Sequence, residues 1–133
     1  MSMTYRHQFR VRYAEVDAQG VVFNSRYLEY ADVVLTEYWR EIGLHFSGEG
    51  AMEFHVGTAT VVYRAPIRSD ELVEGRIRTE RIGTSSVTSV LELHGAGQDH
   101  DLRAEITLVH VHVDLETGKA IPLPDSARAV LTA

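Results

Sequence analysis

The sequence predicts an α+β fold in which a curved antiparallel sheet of about five strands wraps around one long helix. One stretch of the chain has the apolar spacing of an amphipathic helix, and five others are typical of strands. The breaks between the later strands are short, which favours antiparallel pairing because parallel strands need a long crossover. A helix with a wide apolar face must be covered, and a curved sheet is the simplest cover.

The first strand is predicted over Tyr5–Tyr13, where aromatic and valine side chains alternate with arginines. A loop follows over residues 14–20 and ends at Gly20, a residue typical of turns. The loop therefore leads from the first strand towards the start of the long helix.

The long helix is predicted from Ser25 to Ile42, because apolar residues recur there at spacings of three and four. The side chain of Asn24 or Ser25 is expected to cap its first turn. Gly43 is expected to end it, since glycine readily adopts the left-handed conformation found after helices. The predicted apolar stripe comprises Tyr27, Leu28, Ala31, Val34, Leu35, Tyr38, Trp39 and Ile42.

Four more strands and a short terminal helix are predicted after the long helix. His110 and His112 share one face of the last strand, which we expect to be its polar face, opposite a row of valines. Two histidines without a third ligand nearby do not predict a metal site. The strands are predicted over Phe54–Ala65, Glu71–Ile82, Ser85–Leu93 and Leu102–Leu115, and the terminal helix over Ser126–Leu131.

Length and composition predict a single domain over residues 1–133. The 13 basic and 19 acidic residues give a net charge of −6, which argues against nucleic acid as a partner. The absence of cysteine excludes disulfides, thiolate-bound metals and a thiol nucleophile, and it fits a reducing cytoplasm. No apolar stretch resembles a signal peptide or a membrane span, so we expect a cytoplasmic protein.

The predicted sheet is open, so its edge strands are left unpaired. Such edges readily pair with another chain, and a second copy of the same chain is the simplest partner. We therefore expect a homo-oligomer.

Asp17 is the main candidate for a catalytic residue, because it lies in the loop that leads into the helix. The first turn of a helix carries unpaired N–H groups and a partial positive charge, which together can polarise a carbonyl group. The N–H groups of Phe23 and Asn24 are the candidate donors, and Gly20 allows a ligand to approach the backbone closely. A carboxylate placed there can attack the carbonyl or activate water.

The same spacing also fits an aspartate without a catalytic role. An aspartate before a helix commonly closes a turn or interacts favourably with the helix dipole. Glu29 and Asp32, on the polar side of the helix, are alternative carboxylates for a site.

The loop and the first helical turn also carry a family pattern. It consists of a tyrosine, an aspartate, a Gly-Val-Val turn, an aromatic residue, a polar residue and a second tyrosine, here Tyr13, Asp17, Gly20-Val21-Val22, Phe23, Asn24 and Tyr27. This pattern resembles the signature of the 4-hydroxybenzoyl-CoA thioesterase family of hotdog-fold proteins, and within it the acyl-CoA thioesterases associated with Tol–Pal gene clusters. The likeness continues in Arg64-Ala65-Pro66, in the turn from Arg81 to Ser86 and in the ending from Asp114 to Pro122.

The resemblance implies a hotdog fold, with dimers that often pair into tetramers and active sites at the dimer interface. It implies hydrolysis of an acyl-CoA thioester without a metal or organic cofactor, with Asp17 as nucleophile or general base. The backbone N–H of Asn24 would polarise the thioester carbonyl. Relatives often carry His or Tyr at this position, and the side chain of Asn24 cannot replace them as a proton donor near neutral pH.

Two further groups of candidate site residues follow from the resemblance. An apolar acyl pocket beside the helix would be formed by Gly20, Val22, Tyr27, Val56, Ala59 and Val61. The nucleotide or pantetheine of CoA would contact Arg81, Gly83, Thr84 and Ser85, with Arg64 and Arg68 as further candidates. Arginine suits phosphate because its guanidinium group binds two oxygens at once.

The sequence leaves two other functions open. A hotdog dehydratase would need a catalytic histidine paired with a carboxylate, and no histidine lies near Asp17 in the sequence. A non-catalytic acyl-CoA-binding protein would keep the pocket and would not need Asp17.

Overall fold

The computed structural model describes residues 3–132, which form one antiparallel sheet with a long helix packed on it. Met1, Ser2 and Ala133 of the predicted domain lie outside the described residues. The elements are β1 (Tyr5–Arg10), α1 (Arg26–Ile42), β2 (Phe54–Tyr63), β3 (Leu72–Ile82), β4 (Ser86–Gly95), β5 (Leu102–His112) and α2 (Asp125–Thr132). Across the sheet the strands follow the order β1-β3-β4-β5-β2, and every neighbouring pair is antiparallel. The predicted α+β class and the five-stranded sheet around one helix are confirmed.

The apolar stripe of α1 packs against one face of the sheet. The three central strands contribute fully buried side chains to this core, among them Ile77, Leu91 and Ile106. Leu28 is 42% exposed, which contradicts its predicted place in the stripe, because it lies on the outer side of the helix, one turn before the exposed Asp32. The rest of the predicted stripe is buried, apart from the half-buried Ile42.

The two ends of α1 compare differently with the prediction. Gly43 has a φ of +81° and its N–H donates to the carbonyl of Arg40 at 3.2 Å, so the predicted end of the helix is confirmed. At the start, Ser25 is the cap residue but its side chain makes no capping hydrogen bond. Asn24 makes none either within residues 3–132, so the predicted side-chain cap is wrong. Donors in the first turn are therefore left without a side-chain acceptor.

β1 ends earlier than predicted, at Arg10. The chain leaves the sheet there and forms a short 3-10 turn over Tyr13–Glu15. The side chain of Tyr13 is 90% exposed instead of packing as part of a strand. The turn redirects the chain towards the start of α1.

His110 and His112 lie on the helix-facing side of β5, which contradicts the predicted polar face. Trp39 of α1 packs edge-on against His110 with ring centroids 5.2 Å apart, and Phe54 contacts both histidines. Burial lowers the pKa of His110, which favours its neutral form. Spacing along a strand decides which residues share a face, whereas the position of α1 decides which face is covered.

β2 is an edge strand with much exposed apolar surface. Its outer edge has no strand partner within residues 3–132, and Val56, Val62 and Tyr63 are 59%, 39% and 51% exposed. An unpaired edge with such a surface is typical of strands that pair with another chain.

No helix in the described part of the chain is long and apolar enough to cross a membrane.

Gly75 allows the close approach of α1 to the sheet and provides a test of this packing. A Cβ atom at Gly75 would lie 2.3 Å from Val34 Cγ2, which is too close for any real contact. We expect Gly75→Ala to lower the free energy of unfolding by about 1–3 kcal/mol, the usual cost of overpacking. Urea denaturation measures it. Gly75→Ala should lower the free energy of unfolding by less in a Val34→Ala background. An equal loss in both backgrounds would show that Val34 does not restrict residue 75.

Candidate active site

Asp17 lies in a tight hairpin that connects the 3-10 turn to α1. Its N–H donates to the carbonyl of Val21 at 2.9 Å, and the N–H of Gly20 donates to the carbonyl of Asp17 at 3.0 Å. Gly20 has a φ of +77°, a conformation that favours glycine. One carboxylate oxygen of Asp17, Oδ1, accepts the N–H of Gln19 at 2.8 Å. This bond orients the carboxyl group, which is exposed, and its other oxygen has no partner within residues 3–132.

The base of the hairpin determines which backbone donors are available. Val16 and Val22 form an antiparallel bridge, and the N–H of Phe23 donates to the carbonyl of Glu15 at 3.1 Å. The Phe23 amide is therefore engaged, and its expected role as an oxyanion donor is not supported. The N–H of Asn24 has no acceptor in the described part of the chain. It lies just before α1, where the helix dipole favours negative charge.

Glu15 is a buried carboxylate that anchors this hairpin to α1. It accepts the N–H of Arg12 at 2.7 Å and the hydroxyl of Tyr30 at 2.9 Å. Burial, followed by the hydrogen bond to Glu15, raises the pKa of Tyr30 well above its usual range. Sequence reasoning missed this pair, because its two members are separated along the chain and neither belongs to a recognisable spacing.

The hairpin rests on the segment between β2 and β3. The N–H of Val22 donates to the carbonyl of Ile67 at 2.8 Å, and the N–H of Ser69 donates to the carbonyl of Gly20 at 3.0 Å. Tyr27 of α1 also bonds the backbone of Ile67, and burial raises the pKa of its hydroxyl. Residues 64–71 therefore contact both the Asp17 hairpin and the first turn of α1.

A cavity of about 310 Å³ lies beside the start of α1. The Tyr63 hydroxyl donates to the carbonyl of Asn24 at 3.0 Å, and its ring packs on Tyr27 with centroids 4.8 Å apart. Asp17 and Gly20 belong to the adjoining hairpin and do not line the cavity. Sequence reasoning missed Tyr63, although the neighbouring Arg-Ala-Pro motif pointed to this segment. The cavity is lined by Val22, Asn24, Tyr27, Tyr63, Arg64, Ala65 and Pro66.

The remaining predicted pocket residues belong to β2 and do not line this cavity. Val61 is half-buried on the helix-facing side, and Val56 and Ala59 are exposed along the edge strand. Neither these three residues nor Asp17 line the cavity at the start of α1.

The predicted CoA-binding turn also lies apart from Asp17. Ser86 pairs with Val111, which in turn pairs with His55, so the turn is at the amino-terminal end of β2. The Asp17 hairpin lies near the carboxyl-terminal end of β2, at Tyr63. Ten residues of strand, about 30 Å, separate the two ends.

The turn itself is held by the carboxyl-terminal part of the chain. The N–H of Gly83 donates to the carbonyl of Ser86 at 2.8 Å, and Arg128 donates to the carbonyls of Gly83 and Thr84 at 2.8 and 2.9 Å. The side chain of Arg81 is exposed beside it.

The alternative helix carboxylates lie in a different groove, of about 580 Å³, between α1 and β1. Glu29 forms an ion pair with Arg26 at 3.0 Å on the surface of the helix. Asp32 is exposed next to it. Neither contacts the cavity at the start of α1.

No group of three or more potential metal ligands occurs within residues 3–132.

Arg103 of β5 is at the centre of an ion-pair cluster that holds residues 64–71. It donates to both oxygens of Glu71 at 2.8 and 3.0 Å, and to Asp101 at 2.8 and 3.1 Å. The hydrogen bonds from Arg103 hold the pKa values of Glu71 and Asp101 below their usual range.

This cluster predicts an acid-sensitive stability. Because the folded-state pKa of Glu71 is lowered from 4.5, its contribution is complete above pH 4.5 and is lost as the pH falls through the folded-state value. Glu71→Gln should be less stable than wild type at pH 6 and should lose less stability between pH 6 and pH 3. Urea denaturation at each pH measures it. Glu116→Gln, at an exposed position, should lose as much stability between pH 6 and pH 3 as the wild type. A wild-type loss of stability in Glu71→Gln would contradict the lowered pKa of Glu71.

Comparison with known proteins agrees with this architecture. The model of the thioesterase-like superfamily matches residues 11–131. The acyl-CoA thioester hydrolase YbgC of Escherichia coli is 32% identical over 126 residues, which cover 92% of this chain and 91% of YbgC.

Two solved structures show the same fold. The PA5185 protein of Pseudomonas aeruginosa is 27% identical with a TM-score of 0.88, covering 98% of this chain and 91% of that one. A 1,4-dihydroxy-2-naphthoyl-CoA thioesterase from Synechocystis is 18% identical with a TM-score of 0.87, covering 96% and 95%. The resemblance inferred from the segment around Asp17 is confirmed, as is the hotdog fold that it implied. The chain therefore belongs to the thioesterase-like superfamily.

Proposed function

We propose that the protein is an acyl-CoA thioesterase that hydrolyses its substrate to a free acid and CoA. The observation that carries the proposal is one hairpin that connects the exposed Asp17 carboxylate with the N–H of Asn24, beside a cavity. That N–H has no acceptor among the residues that the structure describes. The similarity to YbgC, a named acyl-CoA thioester hydrolase, supports the same reaction.

In the proposed reaction, the start of α1 activates the thioester carbonyl. The Asn24 N–H, aided by the helix dipole, polarises the thioester carbonyl and stabilises the negative charge that develops on its oxygen. Asp17 either attacks the carbonyl carbon or removes a proton from an attacking water. In the first case the C–S bond breaks as an Asp17 anhydride forms, and water then hydrolyses the anhydride. In both cases the sulfur leaves as a thiolate, a good leaving group because thiol pKa values lie near 8.5.

The structure offers little support for a dehydratase. His94 does pair with Glu92, with 2.8 Å between Nε2 and Oε1. His94 is completely buried, and its Nδ1 accepts the N–H of Asp101 at 3.2 Å. A histidine with both nitrogens engaged and no exposure cannot reach a substrate, so this pair has a structural role.

We further propose that two copies pair through β2 to complete the site. In an antiparallel pair of β2 strands, the amino-terminal end of one faces the carboxyl-terminal end of the other. The partner copy's turn 81–85 and its exposed Val56 would then approach the cavity at Asn24. This pairing accounts for the separation of the predicted residues within one chain. Further pairing of dimers into a homotetramer is part of the same proposal, and the cysteine-free composition supports a cytoplasmic location.

Replacement of Asp17 by asparagine tests the catalytic assignment. Asn can still accept the N–H of residue 19, so the turn should persist while the negative charge is lost. We expect thiol release from acyl-CoA to fall at least about a hundredfold, the effect of a key acid–base group. A thiol-reactive dye measures it across a panel of acyl-CoAs.

Asp114 supplies the matched control, because its Oδ1 also accepts a backbone N–H two residues on, at 2.8 Å. Asp114→Asn should keep wild-type turnover. Acyl-CoA binding should survive in Asp17→Asn, as measured by calorimetry. Wild-type turnover in Asp17→Asn would reject Asp17 as the catalyst, and binding without turnover in the wild type would favour an acyl-CoA-binding protein.

Replacement of Val56 by arginine tests the proposed pairing. Val56 is 59% exposed in one chain, so the fold should tolerate the change, whereas a pair of β2 strands would bury the charge. Sedimentation should show a shift from dimer or tetramer to monomer, with loss of thiol release. Leu115→Arg is the control, since Leu115 is 72% exposed outside β2 and should leave both properties unchanged. An oligomer that withstands Val56→Arg would argue against β2 as the interface.

A further inference from the structure

The side chain of Arg103 is only 13% exposed and spans two segments of the chain. Besides Glu71 and Asp101, its Nη1 donates to the carbonyl of Pro66 at 2.9 Å. Its own carbonyl accepts the N–H groups of Arg64 and Ala65 at 2.8 and 3.1 Å. One residue thus holds residues 64–71 through both its backbone and its side chain.

Residues 64–71 in turn hold the Asp17 hairpin. The carbonyl of Ile67 accepts the N–H of Val22, Ser69 donates to the carbonyl of Gly20, and Val21 forms a bridge with Arg68. Arg103 is therefore connected to the hairpin in two steps. One set of hydrogen bonds joins Arg103 to residues 64–71, and a second set joins residues 64–71 to the hairpin.

Gly95 shows how closely the cluster is packed. A Cβ atom there would lie 2.2 Å from Asp101 Oδ2 and 2.6 Å from Arg103 Nη2. The N–H of Gly95 also donates to the carbonyl of Asp101 at 3.0 Å. Any side chain at this position would displace the ion pair.

We propose that Arg103 is a positioning residue for the reaction, which fixes the Asp17 hairpin and the Asn24 N–H through residues 64–71. The inference rests on the proposed thioesterase function. A planar guanidinium group can bind Pro66, Glu71 and Asp101 together, whereas the ammonium group of lysine is a point charge on a flexible stem. Displacements of the order of 1 Å at reacting groups can cost about a hundredfold in rate.

Replacement of Arg103 by lysine tests the proposal through kinetics. We expect kcat for thioester hydrolysis to fall about tenfold or more with KM changed less than about threefold, because Asp17 and the Asn24 N–H act mainly on the transition state. Gly95→Ala should have the same effect, since it displaces the cluster without changing its charge.

Arg76→Lys is the matched control. The Arg76 side chain is 10% exposed on β3, which β4 separates from β5. It binds Glu74 and the carbonyl of Asp99, away from residues 64–71. Arg76→Lys should lower the midpoint temperature of unfolding, as Arg103→Lys does, but should leave kcat unchanged. Equal kcat values in wild type, Arg103→Lys and Gly95→Ala would overturn the proposal and leave Arg103 a purely structural residue.

Amide hydrogen exchange separates this proposal from the proposed function, because it needs no turnover. In Arg103→Lys the N–H groups of Val22 and Ser69 should exchange at least about tenfold faster, while those of the β3–β4 ladder keep their wild-type rates. Arg76→Lys should leave Val22 and Ser69 protected. If the wild type hydrolyses no acyl-CoA, the proposed function fails and exchange still decides whether Arg103 holds the hairpin. Wild-type exchange at Val22 and Ser69 in Arg103→Lys would refute that role.

Discussion

Burial of the apolar face of α1 against the sheet is the constraint on which the rest of the structure depends. Removing apolar surface from water stabilises a fold by about 25 cal/mol per Å², and α1 carries much of the core. The close approach needs Gly75, because Val34 occupies the space that any side chain there would fill. With the helix held in this way, its first turn lies beside the end of β2, where Tyr63 contacts Asn24.

Backbone hydrogen bonds determine which groups are available at the proposed site. Folded chains satisfy nearly all their buried N–H groups, and here Val22 and Phe23 donate to Ile67 and Glu15. The N–H of Asn24 is left without an acceptor within residues 3–132, at the point where the helix dipole favours an anion. The proposed acyl transfer requires a donor and a carboxylate, and the Asn24 N–H and the Asp17 carboxylate both depend on the same hairpin.

The proposed pairing of edge strand β2 would explain why the candidate site residues lie apart within one chain. The exposed Val56 and the turn 81–85 lie at one end of β2, and the Asp17 hairpin lies at the other. A strand that pairs with a second copy of itself brings opposite ends together by symmetry. The exposed apolar side chains of β2 and the incomplete pocket are thus two aspects of one proposed interface.

Local spacing in the sequence was enough to determine the order and type of the main elements, the end of α1 at Gly43, and the segment that carries Asp17. It also determined which residues share a face of a strand, because alternation is a property of neighbouring residues. Only the tertiary structure decided that His110 faces α1, that the Phe23 N–H is bound by Glu15, and that Arg103 binds Pro66 and Glu71. These contacts join segments that meet only after folding, so no spacing along the chain encodes them.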